Sequence, residues 1–146
     1  MKSKKQSAAS LKPRSEATFF LDSALGRDVV ASALRKQGLN VVVHDDIFSP
    51  GTPDADWLRH VGMEGWIVLT KDLRIRYRTN ERDALFRAGV RAFVLRGGNL
   101  TGEQMAAALV QALPKIQRLI RKQAAPFIAG VSANGAVTPL FPKSGT

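Results

Sequence analysis

At 146 residues the chain suits one domain with a substantial core, and 45% apolar against 23% charged residues is ordinary for a globular protein. The lack of cysteine excludes disulfides and thiolate metal sites, and 22 Lys and Arg against 12 Asp and Glu give a net charge of +10. That charge favours polyanions, nucleic acid before an acidic protein or an anionic membrane surface. No run approaches the roughly 18 apolar residues of a membrane span, and the basic start lacks the apolar stretch of a secretory signal, so the reading is a soluble protein of the cytoplasm with no membrane partner.

Residues 1–16 are polar, basic and aperiodic, and read as a flexible tail. Thr18-Phe19-Phe20-Leu21 is a buried strand ending at Asp22. A helix is predicted from Gly26 to Gln37, with Val30, Ala33 and Leu34 on one face and Gly38 as its stop. Val41-Val42-Val43 is the second strand, and His44 to Pro53, with its Ser49-Pro50-Gly51 breakers, is a loop. Thr52 as N-cap and Pro53 as first helical residue would start a helix through Asp54-Ala55-Asp56-Trp57-Leu58.

Trp66 to Leu69 is the third strand, leading into Thr70-Lys71-Asp72, and a helix near Asn80 to Ala88 precedes a strand at Ala92 to Leu95. Thr101 to Lys122 sets Met105, Leu109, Ala112, Ile116 and Leu119 on one helical face, with a kink or break expected at Pro114. Asn134-Gly135, between Phe127–Val131 and Ala136-Val137, signals a hairpin. Strands alternating with helices predict an α/β fold, a three-layer α/β/α sandwich on a mostly parallel sheet, plus the C-terminal hairpin. The organisation read from this is a tail over 1–16, a domain over 17–125, and hairpin and tail over 126–146.

Ligands of such sheets bind outside the carboxyl ends of the strands, and there the sequence places Asp22, Asp45, Asp46, Asp54, Asp56 and Asp72. Crowded carboxylates raise one another's pKa unless neutralised, and a hard divalent cation neutralises them. Each acid also has a plainer reading: Asp22 and Asp72 as turn or cap residues, Asp54 and Asp56 as first-turn partners of a helix dipole, Asp45 and Asp46 as loop acids. The combination carries the weight, because three strand ends deliver acids to one edge.

His44 and His60 lack metal-ligand spacing and read as solvated or rim histidines, while Trp57 and Trp66 read as core. Ser23 has no nucleophile context, and Gly97-Gly98 is a turn without a phosphate-loop lysine. Arg74, Arg76 and Arg78 alternate with apolar residues beside the acids, so they can hold phosphates while Tyr77 stacks a base; a solvated edge is the alternative. Lys115, Arg118, Arg121 and Lys122 read as a solvated helix face.

Taken in order, Thr18-Phe19-Phe20-Leu21-Asp22, Gly38-Leu39-Asn40-Val41-Val42, Asp54-Ala55-Asp56-Trp57-Leu58 and Val68-Leu69-Thr70-Lys71-Asp72 resemble the PIN-like domain family, which includes VapC-type toxins, over roughly Thr18 to Lys122. The resemblance implies a Mg²⁺- or Mn²⁺-dependent endoribonuclease. Its metal acids would be Asp22, Asp54 and Asp72, with Asp56 just behind as a further catalytic acid. A fourth acid often follows the last of these; here the stretch is basic, and Glu81 is the nearest candidate. RNA as substrate, an antitoxin protein as partner and a homo-oligomer are further implications. A non-catalytic PIN-like binding module is the competing function. Receiver domains and haloacid-dehalogenase-like phosphatases fit poorly, because the paired acids follow the second strand and Ala24 stands two residues after Asp22.

Overall fold

The computed structural model describes residues 17–26, 28–71 and 79–142. The tail over 1–16 and the residues Asp72, Arg74, Arg76, Tyr77 and Arg78 lie outside them.

Among the described residues one six-stranded sheet runs in the order β2-β1-β3-β4-β5-β6. Its strands are β1 (Thr18–Leu21), β2 (Asn40–Val43), β3 (Ile67–Thr70), β4 (Arg91–Leu95), β5 (Phe127–Val131) and β6 (Val137–Phe141). The first five pair in parallel and β6 returns antiparallel to β5. The helices are α1 (Val29–Lys36), α2 (His44–Ile47), α3 (Asp54–Glu64), α4 (Thr79–Arg87) and α5 (Gly102–Lys122). None of them is long and apolar enough to cross a membrane.

Strands β3 and β5 are buried at every position, as expected where helices cover both faces of a parallel sheet. One face, with Phe19, Leu21, Leu69, Phe93 and Phe127, packs against Val30 and Leu34 of α1 and Leu109 and Ile116 of α5. The other, with Phe20, Val68 and Val94, packs against Trp57, Leu58 and Val61 of α3 and Leu85 of α4. This is the three-layer α/β/α sandwich with its C-terminal hairpin. The hairpin belongs to the same sheet, and Arg82 of α4 lies over the Phe141 ring at 4.5 Å. Gly135, with φ +87°, makes its turn.

Several local expectations shift. A 3₁₀ turn at Ser23–Leu25, capped by Asp22, precedes the first helix, and α1 begins only at Val29 where Gly26 was expected. Residues 44–47, expected as loop, are one helical turn. Thr52 does not cap α3: its hydroxyl donates to the Ser49 carbonyl at 2.8 Å, closing the Ser-Pro-Gly-Thr turn on itself, and Pro53 takes the capping position. Pro114 does not break α5, which runs unbroken from Gly102. Its ring faces solvent, where water can satisfy the carbonyl that loses its partner. A Thr101–Gln104 capping box secures the start of α5, with hydrogen bonds of 2.8 and 3.1 Å.

Candidate active site

Asp22 leaves β1 at the carboxyl edge of the sheet. Its Oδ1 accepts from the Ser23 backbone N–H at 2.8 Å and its Oδ2 from the Thr70 hydroxyl at 2.7 Å. Thr70 ends the neighbouring strand β3 and is fully buried, so the rotamer of Asp22 is set from two strands at once.

Asp54 opens α3 at the same edge. Its Oδ1 accepts from the Trp57 indole N–H at 3.0 Å, one helical turn on. Trp57 is buried and stacks on Phe20 with ring centroids 5.3 Å apart. The residue read as core is core, and it also orients an acid.

Asp22 and Asp54 line one pocket of about 430 Å³, together with Ser23, Ala24, His44, Pro50, Thr52 and Trp57. Its polar wall is carboxylate, hydroxyl and imidazole, and hard divalent cations prefer the oxygen donors among these. Among the described residues no three His, Cys, Asp or Glu side chains stand close enough to share an ion. What the described chain offers is therefore two carboxylates, the number Mg²⁺ usually takes directly while keeping waters.

The remaining acids are placed differently. Asp56 is exposed, lies 3.8 Å from Arg59 and is not among the residues lining the pocket. Asp45 is bonded to His44, and Asp46 is exposed. Glu81, in the first turn of α4, also lies off the pocket, but its Oε1 is sealed from water without a hydrogen-bond partner. A buried carboxylate oxygen left in that way carries the full cost of its lost hydration. His60 is exposed, whereas His44 is buried to 3% of its surface on the pocket wall, against the expectation of a solvated or rim residue. The one signal for His44 was its place: it follows the apolar run of β2 as Asp22 follows that of β1.

The family described as a PIN like domain matches residues 17–97, more than half of the chain. The chain belongs to the PIN-like domain family. The PIN-like segment spans β1 to β4 and contains Asp22, Asp54, Asp56, Asp72 and Glu81. A relative from Mycobacterium tuberculosis (strain ATCC 25618 / H37Rv), named "Putative ribonuclease VapC45", is 29% identical over 125 residues, 83% of this chain and 90% of its own. No solved structure matches this PIN-like chain significantly.

Proposed function

We propose that this PIN-like protein is a Mg²⁺- or Mn²⁺-dependent endoribonuclease that hydrolyses RNA phosphodiester bonds, and that it is the toxin of a toxin–antitoxin pair. The observation that carries the reading is the convergence of Asp22 and Asp54, from elements far apart in sequence, on one pocket at the carboxyl edge of the sheet. The family and the name of the mycobacterial relative support the same reaction class.

Asp22, Asp54 and Asp72 are the proposed metal ligands; Asp72 follows Thr70 by two positions in the sequence. Bound there, the ion supplies polarisation of the phosphodiester and a water of lowered pKa. Thr70 and the Ser23 N–H fix the Asp22 carboxylate, and Trp57 fixes that of Asp54, so neither has to reorganise when substrate arrives. Arg74, Arg76 and Arg78 are proposed to hold the RNA backbone and Tyr77 to stack a base. Asp56, beside Arg59 at the surface, is left outside the ligand set. An antitoxin is the proposed protein partner, drawn to a chain of net charge +10.

The test is cleavage of a labelled RNA pool by the full chain in EDTA, and after Mg²⁺ or Mn²⁺ is restored. Cleavage that appears only with metal is the expected result. Binding of RNA without cleavage under either condition would replace the nuclease by the non-catalytic binding module. A second expectation concerns Trp57→Phe, which keeps a stacking ring against Phe20 but deletes the donor to Asp54. It should cost about 1 kcal/mol of stability, one hydrogen bond, and about tenfold in cleavage if the orientation of Asp54 matters. A melting curve and a rate measured on the same sample separate the two effects. Unchanged cleavage would detach Asp54 from the chemistry.

A further inference from the structure

His44 lines the pocket and has no part in the ligand set above. Leu21 and Val43 are register partners, so Asp22 and His44 leave the sheet on neighbouring strands at the same edge. The ring is fixed on several sides: Phe20, Phe48 and Trp57 pack around it with centroids 5.9, 5.5 and 5.7 Å away. His44 Nδ1 lies 2.7 Å from Asp45 Oδ1. An ionised carboxylate only accepts, so Nδ1 carries the proton, and in the neutral imidazole Nε2 is then a bare acceptor.

That second nitrogen has no hydrogen-bond partner among the described residues, yet it is not one of their sealed, partnerless polar atoms. It therefore opens on the pocket. Only 4% of the side chain is exposed, which favours a small partner. A neutral imidazole nitrogen needs a donor, which a phosphodiester lacks. In RNA the small group that can donate from the backbone is the ribose 2′-hydroxyl, the feature that distinguishes RNA from DNA.

We propose that His44, held in one tautomer by Asp45, recognises a ribose 2′-hydroxyl in the pocket and determines the preference for RNA over DNA. The proposal rests on the ribonuclease reading and deepens it. His44 makes no covalent bond in this role; it orients the sugar whose phosphate is cut, and the discrimination comes from leaving Nε2 without a partner when the hydroxyl is absent.

The experiment uses the full chain with Mn²⁺ and an RNA oligonucleotide whose cut site has been mapped with wild type. Single 2′-deoxy substitutions are then placed at each nucleotide flanking the cut. Wild type is expected to lose tenfold or more in kcat/KM at one position. His44→Phe, which keeps an aromatic ring for Phe20 and Trp57 but has no nitrogen, is expected to cleave the ribose and deoxyribose versions of that position within about threefold of each other. A general packing defect would slow both substrates alike and leave their ratio unchanged, so the ratio is the readout. Discrimination retained by His44→Phe would overturn the proposal. If that variant does not fold, the wild-type scan still decides it: wild type that cleaves RNA with no position sensitive to deoxy substitution removes the role of His44 and leaves the nuclease reading standing. Wild type that cleaves neither substrate removes both.

Discussion

Asp22→Asn is expected to lower RNA cleavage at least a hundredfold while leaving the fold in place. Asn caps a helical turn about as well as Asp, and its one carbonyl oxygen can still accept from either Ser23 N–H or the Thr70 hydroxyl. One of those two bonds is lost, at about 1 kcal/mol, offset by relief of repulsion between Asp22 and Asp54 across their shared pocket. In EDTA, wild type and variant should therefore melt within about 1 kcal/mol of each other. Mn²⁺ separates them. At a hundredfold excess over Kd a ligand adds about 2.7 kcal/mol, several degrees of Tm for a chain of this size, and the variant should gain little of it. Four melting curves, each variant with EDTA and with Mn²⁺, and two cleavage rates complete the test. Wild type that gains nothing from Mn²⁺, beside a variant that still cleaves, would return Asp22 to the role of a simple cap.

The second large effect is on stability. A methyl group added to Gly62 of α3 would stand 2.0 Å from the Ala88 carbonyl oxygen and 3.0 Å from its carbon, atoms of the backbone that follows α4. Helix propensity alone predicts that Gly→Ala inside a helix gains up to about 1 kcal/mol. The contact reverses the sign. Backbone cannot rotate away as a side chain can, so α3 and α4 must separate and loosen the cluster of Trp57, Leu58, Val61 and Leu85. Gly62→Ala should cost roughly 3 kcal/mol or more, on the order of ten degrees of Tm. Gly98→Ala, where nothing lies within 4 Å, is the matched control and should melt close to wild type. A Gly62→Ala protein as stable as the control would mean that the two helices do not approach this closely.

These cases also mark what a sequence can disclose. The strands were legible because a parallel strand covered on both faces must be apolar throughout, and Thr18–Leu21 and Phe127–Val131 are read off directly. Asp22 was legible as an edge residue because it follows an apolar run, and Asp54 because it opens the helix after the Ser49-Pro50-Gly51 breakers. Which of the acids face one another was not: Asp54–Trp57 and Asp56–Arg59 are equivalent i,i+3 pairs within α3, and only the packing of α3 on the sheet decides that the first lines the pocket while the second stays at the surface. The burial of His44 was unreadable for the same reason. One helical turn folds it under Phe20 and Phe48, and nothing local announces that turn. Gly62 carries no signal in a single chain, since the atom it must avoid belongs to a residue 26 positions on.

Among the described helices α1 and α5 lie on one face of the sheet and α3 and α4 on the other, and this has a topological consequence. Moving from β1 to β2 the chain steps one way along the sheet over the α1 face; from β2 to β3 and from β3 to β4 it steps the other way over the α3 and α4 face. Those three crossovers share one hand. From β4 to β5 the step keeps its direction, but α5 crosses on the α1 face, which is the opposite hand. Parallel crossovers are right-handed in about 98% of cases, so the fourth is the left-handed exception. A right-handed path would have put α5 beside α3 and α4 and left Leu69, Phe93, Leu95 and Phe127 facing water. Burial of that apolar face outweighs the twist preference here. The reversal falls in the segment after residue 97, where the family match ends, so the unusual crossover is also what roofs the half of the sheet that the matched segment leaves open.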